Sequence, residues 1–316
     1  MEWTRRPLGG TGLSMTPLTV GGAPLGSMPK NFGYEVAEED GVATAVAALT
    51  GPIRSLDTSC AYSDGESERR IGIALERVGG RPDDFVLATK VTRDLRTGDF
   101  SGAQMRRAIE GSLARLGVDR VPLLYLHDPE NTTFTEATAR GGAVDVIRAL
   151  KDEGIAGAIG VAGGDTRIIS EYVATGYFDV LLTHNRWTLV NRTANAMIDL
   201  AREHGMGVVN AAVLGGGILA TGAGASTRYG YREAPEVLLN AIREVERLCH
   251  EADVPLAAAA LQFSTRDPRI ATTIVGVSRP ERIADNVAAI ELDIPDALFD
   301  EIDRIAATLP ADIGPR

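Results

Sequence analysis

Short apolar runs recur along this chain, separated by stretches long enough for a helix to pass between them, and that rhythm restricts the fold more than any other feature. The runs fall at residues 18–23, 54–59, 85–89, 123–126, 157–164, 178–185, 207–212 and 271–277. Between them lie amphipathic segments. In 104–116, for example, Met105, Ala108, Ile109, Leu113 and Leu116 share one helical side. Strand and helix alternating at this interval imply parallel pairing with right-handed crossovers.

The polar residues that end these runs are the candidates for chemistry. Asp57 closes the second run, and Tyr62 follows before Asp64-Gly65 turns the chain into a helix over 66–78. Lys90 ends the third run, and His127-Asp128 ends the fourth. In a parallel α/β protein the carboxyl ends of the strands carry the active site, so these groups converge if the strands close on one another. Each alone has an ordinary reading as a solvated lysine or a satisfied structural histidine; their joint placement is what points to catalysis.

An Asp-x4-Tyr segment, a strand-end Lys and a strand-end His resemble the aldo-keto reductase superfamily, whose members carry an Asp-Tyr-Lys-His tetrad on a (β/α)8 barrel. The likeness runs from Arg6-Pro7-Leu8-Gly9, through Leu56-Asp57-Thr58, to the segment from Ser278 to Asn286. It implies a (β/α)8 TIM barrel occupying 1–316 as a single domain, a size at which barrels are routinely undivided. Residues 5–17, with Gly9-Gly10 and Gly12, read as an N-terminal β-hairpin that caps the amino-terminal end. The segments 181–189 and 210–219 look most similar to the aldose 1-dehydrogenase branch.

In that setting Tyr62 is the expected general acid, reversing to general base for oxidation. Lys90 is its electrostatic partner, lowering the phenol pKa. Asp57 holds Lys90 charged, and His127 orients the substrate oxygen.

No Gly-x-Gly-x-x-Gly opens the chain, so a dinucleotide would bind by another route. Ser278-Arg279-Pro280-Glu281 resembles a capping box opening a helix whose amino terminus suits an anion. The resemblance assigns Arg282 to a 2′-phosphate and Asp285 and Asn286 to the adenine, which favours NADP (NADPH), with NAD the alternative. Gly216, Gly276, Ser278 and Arg279 complete the expected cofactor contacts. Where many members carry Ser-Asn for the nicotinamide amide, this chain has Ala162-Gly163; Asn185 is expected to keep one amide contact, and Leu214 stands where a stacking Tyr is common. Gly21 and Gly22 suggest close approach of the cofactor or, equally, a tight turn. Trp187 is the candidate wall of a substrate pocket, or a structural tryptophan.

Two long loops, 128–142 and 215–234, read as lids or substrate walls, with disorder the competing reading. A net charge of −11 excludes nucleic acid as the main partner, and no apolar run approaches a membrane span. The opening Met1-Glu2-Trp3-Thr4-Arg5-Arg6 is not a secretory leader. Two cysteines are too few for a disulfide framework and fit a cytoplasmic protein. The four histidines show no metal-ligand spacing, which disfavours a metal-dependent hydrolase. The expected ligands are NADP and a small carbonyl or sugar. A non-enzymatic NADPH-sensing subunit is the alternative from a different class.

Overall fold

The computed structural model describes residues 3–310 and Ile313; Met1 and Glu2 of the opening run lie outside them. Strands β1 (Arg6–Pro7) and β2 (Ser14–Met15) form an antiparallel hairpin. Eight parallel strands follow: β3 (Leu18–Gly21), β4 (Ser55–Asp57), β5 (Val86–Val91), β6 (Val121–His127), β7 (Ala156–Gly163), β8 (Val180–His184), β9 (Gly207–Ala211) and, after a small hairpin of β10 (Arg228–Tyr229) and β11 (Arg232–Glu233), β12 (Thr272–Gly276). They close into a barrel because β12 pairs with both β3 and β9. The expected barrel and its hairpin are both present.

Period-two alternation decides which side chains face inward. Val86, Ala88, Leu123, Tyr125, Ala158, Val180, Leu182 and Val209 fill the interior. Their neighbours Leu87, Leu124, Leu126, Ile159, Val161, Leu181 and Val208 pack against the surrounding helices. Near the amino-terminal end the interior turns polar: Thr19 Oγ1 is 2.7 Å from Ser55 Oγ and 2.8 Å from Thr272 Oγ1. Gly160 is small because the Tyr125 ring lies over it; a Cβ there would sit 2.5 Å from Tyr125 Cδ1. The glycines that end β3 serve a tight turn, since Gly22 N donates to Asp57 O at 2.7 Å and a Cβ on Gly22 would meet that same oxygen at 2.9 Å.

Both long loops are built rather than disordered. The first contains a turn at Pro129–Asn131 and a helix, Phe134–Thr138, opened by a Thr133/Glu136 capping box. The second contains the helix Ile218–Thr221 and the β10–β11 hairpin, anchored by Tyr229, which is 1% exposed. The helix after β12 runs Glu281–Glu291, but the capping box expected at Ser278 does not form. Pro280 is the N-cap without a side-chain cap, so Glu281 is the first helical residue rather than the third, and Ser278 stands outside the helix.

Candidate active site

The pleat aims Asp57, Lys90 and His127 into the barrel at its carboxyl-terminal mouth. Asp57 is the last residue of β4 and pairs in register with Ala88, two residues before Lys90. Lys90 in turn pairs with Tyr125, two residues before His127. Even spacing therefore keeps all three on the inner face. Tyr62 comes from the loop that follows β4. There Ser63, Asp64 and Gly65 adopt positive φ in succession, turning the chain into the helix Glu66–Arg77. Gly65 is required where it stands, because a Cβ would lie 2.5 Å from Arg115 Nε. Arg115 is held by two bonds, 2.9 and 2.7 Å, to the fully buried Glu68.

The Lys90 amine, 1% exposed, is the hub. It donates to Asp57 Oδ1, to Thr58 O at 2.9 Å and to Tyr62 Oη at 3.0 Å. Burial works against the Lys90 ammonium, but the Asp57 carboxylate and the Tyr62 phenol outweigh it, and its pKa is raised. Burial likewise raises the Asp57 carboxyl, with Lys90 opposing. The proton belongs on the amine, whose affinity the pair increases.

For Tyr62 the balance differs from the sequence expectation. Burial raises its pKa, Lys90 lowers it, and the Asp57 carboxylate cancels part of that help, leaving the phenol above its usual value. Tyr62 is therefore kept protonated at neutral pH.

The ring of His127 stands edge-on to that of Tyr62, with centroids 6.1 Å apart. Burial outweighs the nearby Asp128 carboxylate and lowers the His127 pKa to about 4, so the imidazole is neutral at pH 7. Its Nδ1 is 3.3 Å from Ser59 Oγ, which already accepts from Ala61 N. The serine hydroxyl can donate to Nδ1 or accept from it; where it donates, the His127 proton sits on Nε2.

Beyond the tetrad the structure brings in two further carboxylates, Asp128 and Glu130. Asp128 Oδ1 lies 3.6 Å from His127 Nε2 and 3.8 Å from His184 Nε2. Glu130 turns back beneath the loop after β7, where its Oε1 accepts from Gly164 N at 2.8 Å and Asp165 N at 3.2 Å. It fills the space that the small Gly163 leaves, since a Cβ there would be 2.5 Å from Glu130 Oε2. The signal for Asp128 was its position directly after a strand-end histidine; Glu130 gave none.

Residues 17–307 match the model of the aldo/keto reductase family. The chain belongs to that family. Its similarity extends to D-threo-aldose 1-dehydrogenase of Pseudomonas sp, 30% identical over 96% of this chain and 97% of the relative. Pyridoxal 4-dehydrogenase of Microbacterium luteolum is also 30% identical, over 93% and 95% of the two chains. L-galactose dehydrogenase of Arabidopsis thaliana is 31% identical over 90% and 87%. The holo form of an aldo-keto reductase from Bacillus halodurans has the same fold, with a TM-score of 0.77 at 24% identity, covering 99% of this chain and 98% of that one. The protein is thus an oxidoreductase of the aldo/keto reductase type.

Within this aldo/keto reductase barrel, the residues expected to hold the cofactor fall at the end of β12 and on the segments that follow β8, β9 and β12. Asn185 follows β8 in the left-handed region (φ 59) and is 5% exposed. Its Nδ2 is 3.2 Å from His184 Nδ1, while its Oδ1 is buried with no hydrogen-bond partner among the described residues. Leu214 is half-buried against the core. Gly216, at φ 79, is exposed in the turn after β9, and Gly276, also exposed, ends β12. Ser278 is half-buried and Arg279 exposed. On the following helix Arg282 and Asp285 pair with each other at 3.3 Å, both about half exposed, with Asn286 half-buried beside them.

Trp187 does not face the mouth. It is 7% exposed and packs on Phe263 at 5.3 Å between centroids, with Arg269 4.9 Å and Arg192 5.5 Å from its ring. It belongs to the packing layer around the barrel and is no substrate wall. Tyr231, on the turn of the β10–β11 hairpin, is close enough to Tyr62 to feel its phenol electrostatically. Burial and the Tyr62 and Tyr34 phenols push its pKa up to about 12, and Phe32 meets its ring edge-on at 5.9 Å.

Proposed function

We propose that this protein moves hydride between NADP and a carbonyl or alcohol carbon, with Tyr62 exchanging the accompanying proton. The observation that carries this reading is the buried amine of Lys90, 3.0 Å from Tyr62 Oη with Asp57 as its counter-charge. A phenol held protonated at neutral pH is a competent donor only if something stabilises the phenolate it becomes, and the ammonium beside it is that group. In reduction, Tyr62 Oη–H protonates the oxygen of the reacting carbon, and the charge left on the phenolate faces Lys90. In oxidation the same oxygen accepts the proton. Neutral His127 donates from Nε2 to the substrate oxygen in either direction, and Ser59, donating to Nδ1, keeps the imidazole in the tautomer that does so.

Asn185 fits a nicotinamide amide, because its buried Oδ1 lacks a donor that a carboxamide N–H2 would supply. Bound there, the nicotinamide would provide the hydride acceptor or donor. Arg282, with Asp285 and Asn286, is the expected hold on the adenylate end and supports NADP over NAD; the Asp285 carboxylate already on Arg282 keeps NAD in play. A subunit that merely senses the cofactor has no need of a buried ammonium–carboxylate pair, which is costly to build.

A more specific form of the reading is oxidation of a free aldose at its anomeric carbon to the lactone. The activities in the names of the relatives at about 30% identity favour it, as do the polar groups His184 and Asp128 at the mouth. The test is an absorbance screen at the nicotinamide band with NADP and NAD against sugars and simple carbonyls. Tyr62→Phe should remove turnover, by about 10²-fold or more, while leaving cofactor binding near the wild-type level. Turnover retained in that variant would overturn the assignment.

A further inference from the structure

Beside the reacting position sits a carboxylate that the proton transfer does not use. Asp128 follows His127 in the left-handed region (φ 49), fixed there by its backbone N–H donating to Ala162 O at 2.8 Å. This backbone turn places Oδ1 between two imidazoles, at 3.6 Å from His127 Nε2 and 3.8 Å from His184 Nε2. Both separations are too long for a hydrogen bond, and Oδ1 is buried with no partner among the described residues. The rest of the side chain is open to the mouth, about a third exposed, as is His184.

His184 is not free to turn. Asn185, itself nineteen-twentieths buried, donates from Nδ2 to His184 Nδ1 at 3.2 Å, so the His184 proton is on Nε2 and faces Asp128. Gly164 makes room for the ring, since a Cβ there would lie 2.7 Å from His184 Cε1. A fixed N–H donor and a fixed carboxylate acceptor therefore stand together, one step from the Tyr62–His127 position.

We infer that Asp128 and His184 recognise a hydroxyl on the carbon next to the reacting carbon, so that the enzyme selects α-hydroxy aldehydes and their cyclic or diol forms over deoxy analogues. The inference rests on the oxidoreductase reading of this same site. A hydroxyl is the group that donates to Oδ1 and accepts from His184 Nε2–H at once. Both imidazoles lie within 3.8 Å of the same carboxylate oxygen, so one oxygen of a vicinal pair at the His127 donor leaves the other beside Asp128 and His184. A substrate lacking that hydroxyl leaves a buried carboxylate oxygen unpaired, and sites built around a hydroxyl discriminate strongly on that ground.

The experiment compares kcat/KM for glycolaldehyde with that for acetaldehyde, and for lactaldehyde with that for propanal, in the wild type, Asp128→Asn and His184→Gln. The wild type should prefer each hydroxylated member by about tenfold to a hundredfold, and the preference should fall toward unity in both variants. A purely structural role would lower both members of a pair together and keep their ratio; that result, or a wild type without preference, overturns the inference. If one variant does not fold, the other carries the comparison. Should neither these aldehydes nor any sugar or carbonyl of the nicotinamide screen be turned over, the proposed hydride transfer fails separately. Saturation-transfer NMR with 1,2-propanediol and 1-propanol then reads the pocket directly: a diol signal lost in Asp128→Asn supports the inference, and equal signals from the two alcohols overturn it.

Discussion

Separating the two charges at the centre of the site is costly because neither has another counter-charge. Asp57 is 3% exposed and Lys90 1%, and Asp57 Oδ2 has no partner among the described residues. Lys90→Met leaves a carboxylate in the barrel with no ammonium, and such broken buried pairs cost about 3–5 kcal/mol. Asp57→Asn combined with Lys90→Met removes both charges while keeping their approximate shapes. The double variant should recover most of that loss, although neither it nor Lys90→Met can stabilise a Tyr62 phenolate. Urea denaturation of the wild type, both single variants and the double variant closes the thermodynamic cycle. Additive losses would show that the pair is not coupled and that Lys90 is held by Thr58 O and the surrounding packing instead.

At the scale of elements, the β10–β11 hairpin shows how a loop becomes part of the site. Tyr229 Oη donates to Asn185 O at 3.0 Å and lies 2.8 Å from Thr188 Oγ1, fully buried. It thereby fastens the segment after β9 to the segment after β8, at a residue whose left-handed backbone needs outside support. Tyr229→Phe strands a buried carbonyl and a hydroxyl, a loss of about 1–3 kcal/mol. Amide hydrogen exchange over residues 215–234 should quicken accordingly, while β5 and β6 keep their protection. Unchanged exchange would mean that the hairpin is held by other contacts. The same bonds explain what the sequence could not convey. The barrel strands were legible because each is a short apolar run, and Asp57, Lys90 and His127 because each closes one; Tyr62 was read from its spacing after Asp57 and the family resemblance. The order of residues 215–234, the packing of Trp187 on Phe263 and Arg269, and the place of Glu130 under Gly164 all depend on partners distant in the chain. The capping box failed for a different reason. A four-residue pattern fixes neither the start of a helix nor which of its members is the N-cap, and here Pro280 takes that place.

Across the whole molecule, the two ends of the barrel divide the work. The catalytic candidates Asp57, Lys90 and His127 lie at the carboxyl ends of β4, β5 and β6, while the β1–β2 hairpin seals the opposite end with Leu8 and Met15 in the interior cluster. Conserving that seal is a matter of stability rather than chemistry in a barrel of this kind. Arg6 is its clasp: Nη1 donates to Asp267 O at 3.1 Å and Ile270 O at 2.8 Å, and Nη2 to Thr265 O at 2.7 Å. These carbonyls end the helix Leu256–Arg266 and lead into β12, the strand that closes the barrel, so one guanidinium stands in for a C-cap and holds the seam. Arg6→Ala should therefore lower stability by about 2–3 kcal/mol, the cost of leaving several part-buried carbonyls without a charged donor. It should leave kcat/KM unchanged, because the substituted side chain contacts the segment that precedes β12, whereas Tyr62 follows the carboxyl end of β4. Thermal denaturation followed alongside the nicotinamide assay separates the two effects. A fall in kcat/KM at a temperature where the variant is still folded would show that the ends are coupled, and that the seam at β12 transmits strain to the glycine ending that strand and the Ser278–Glu281 turn beyond it.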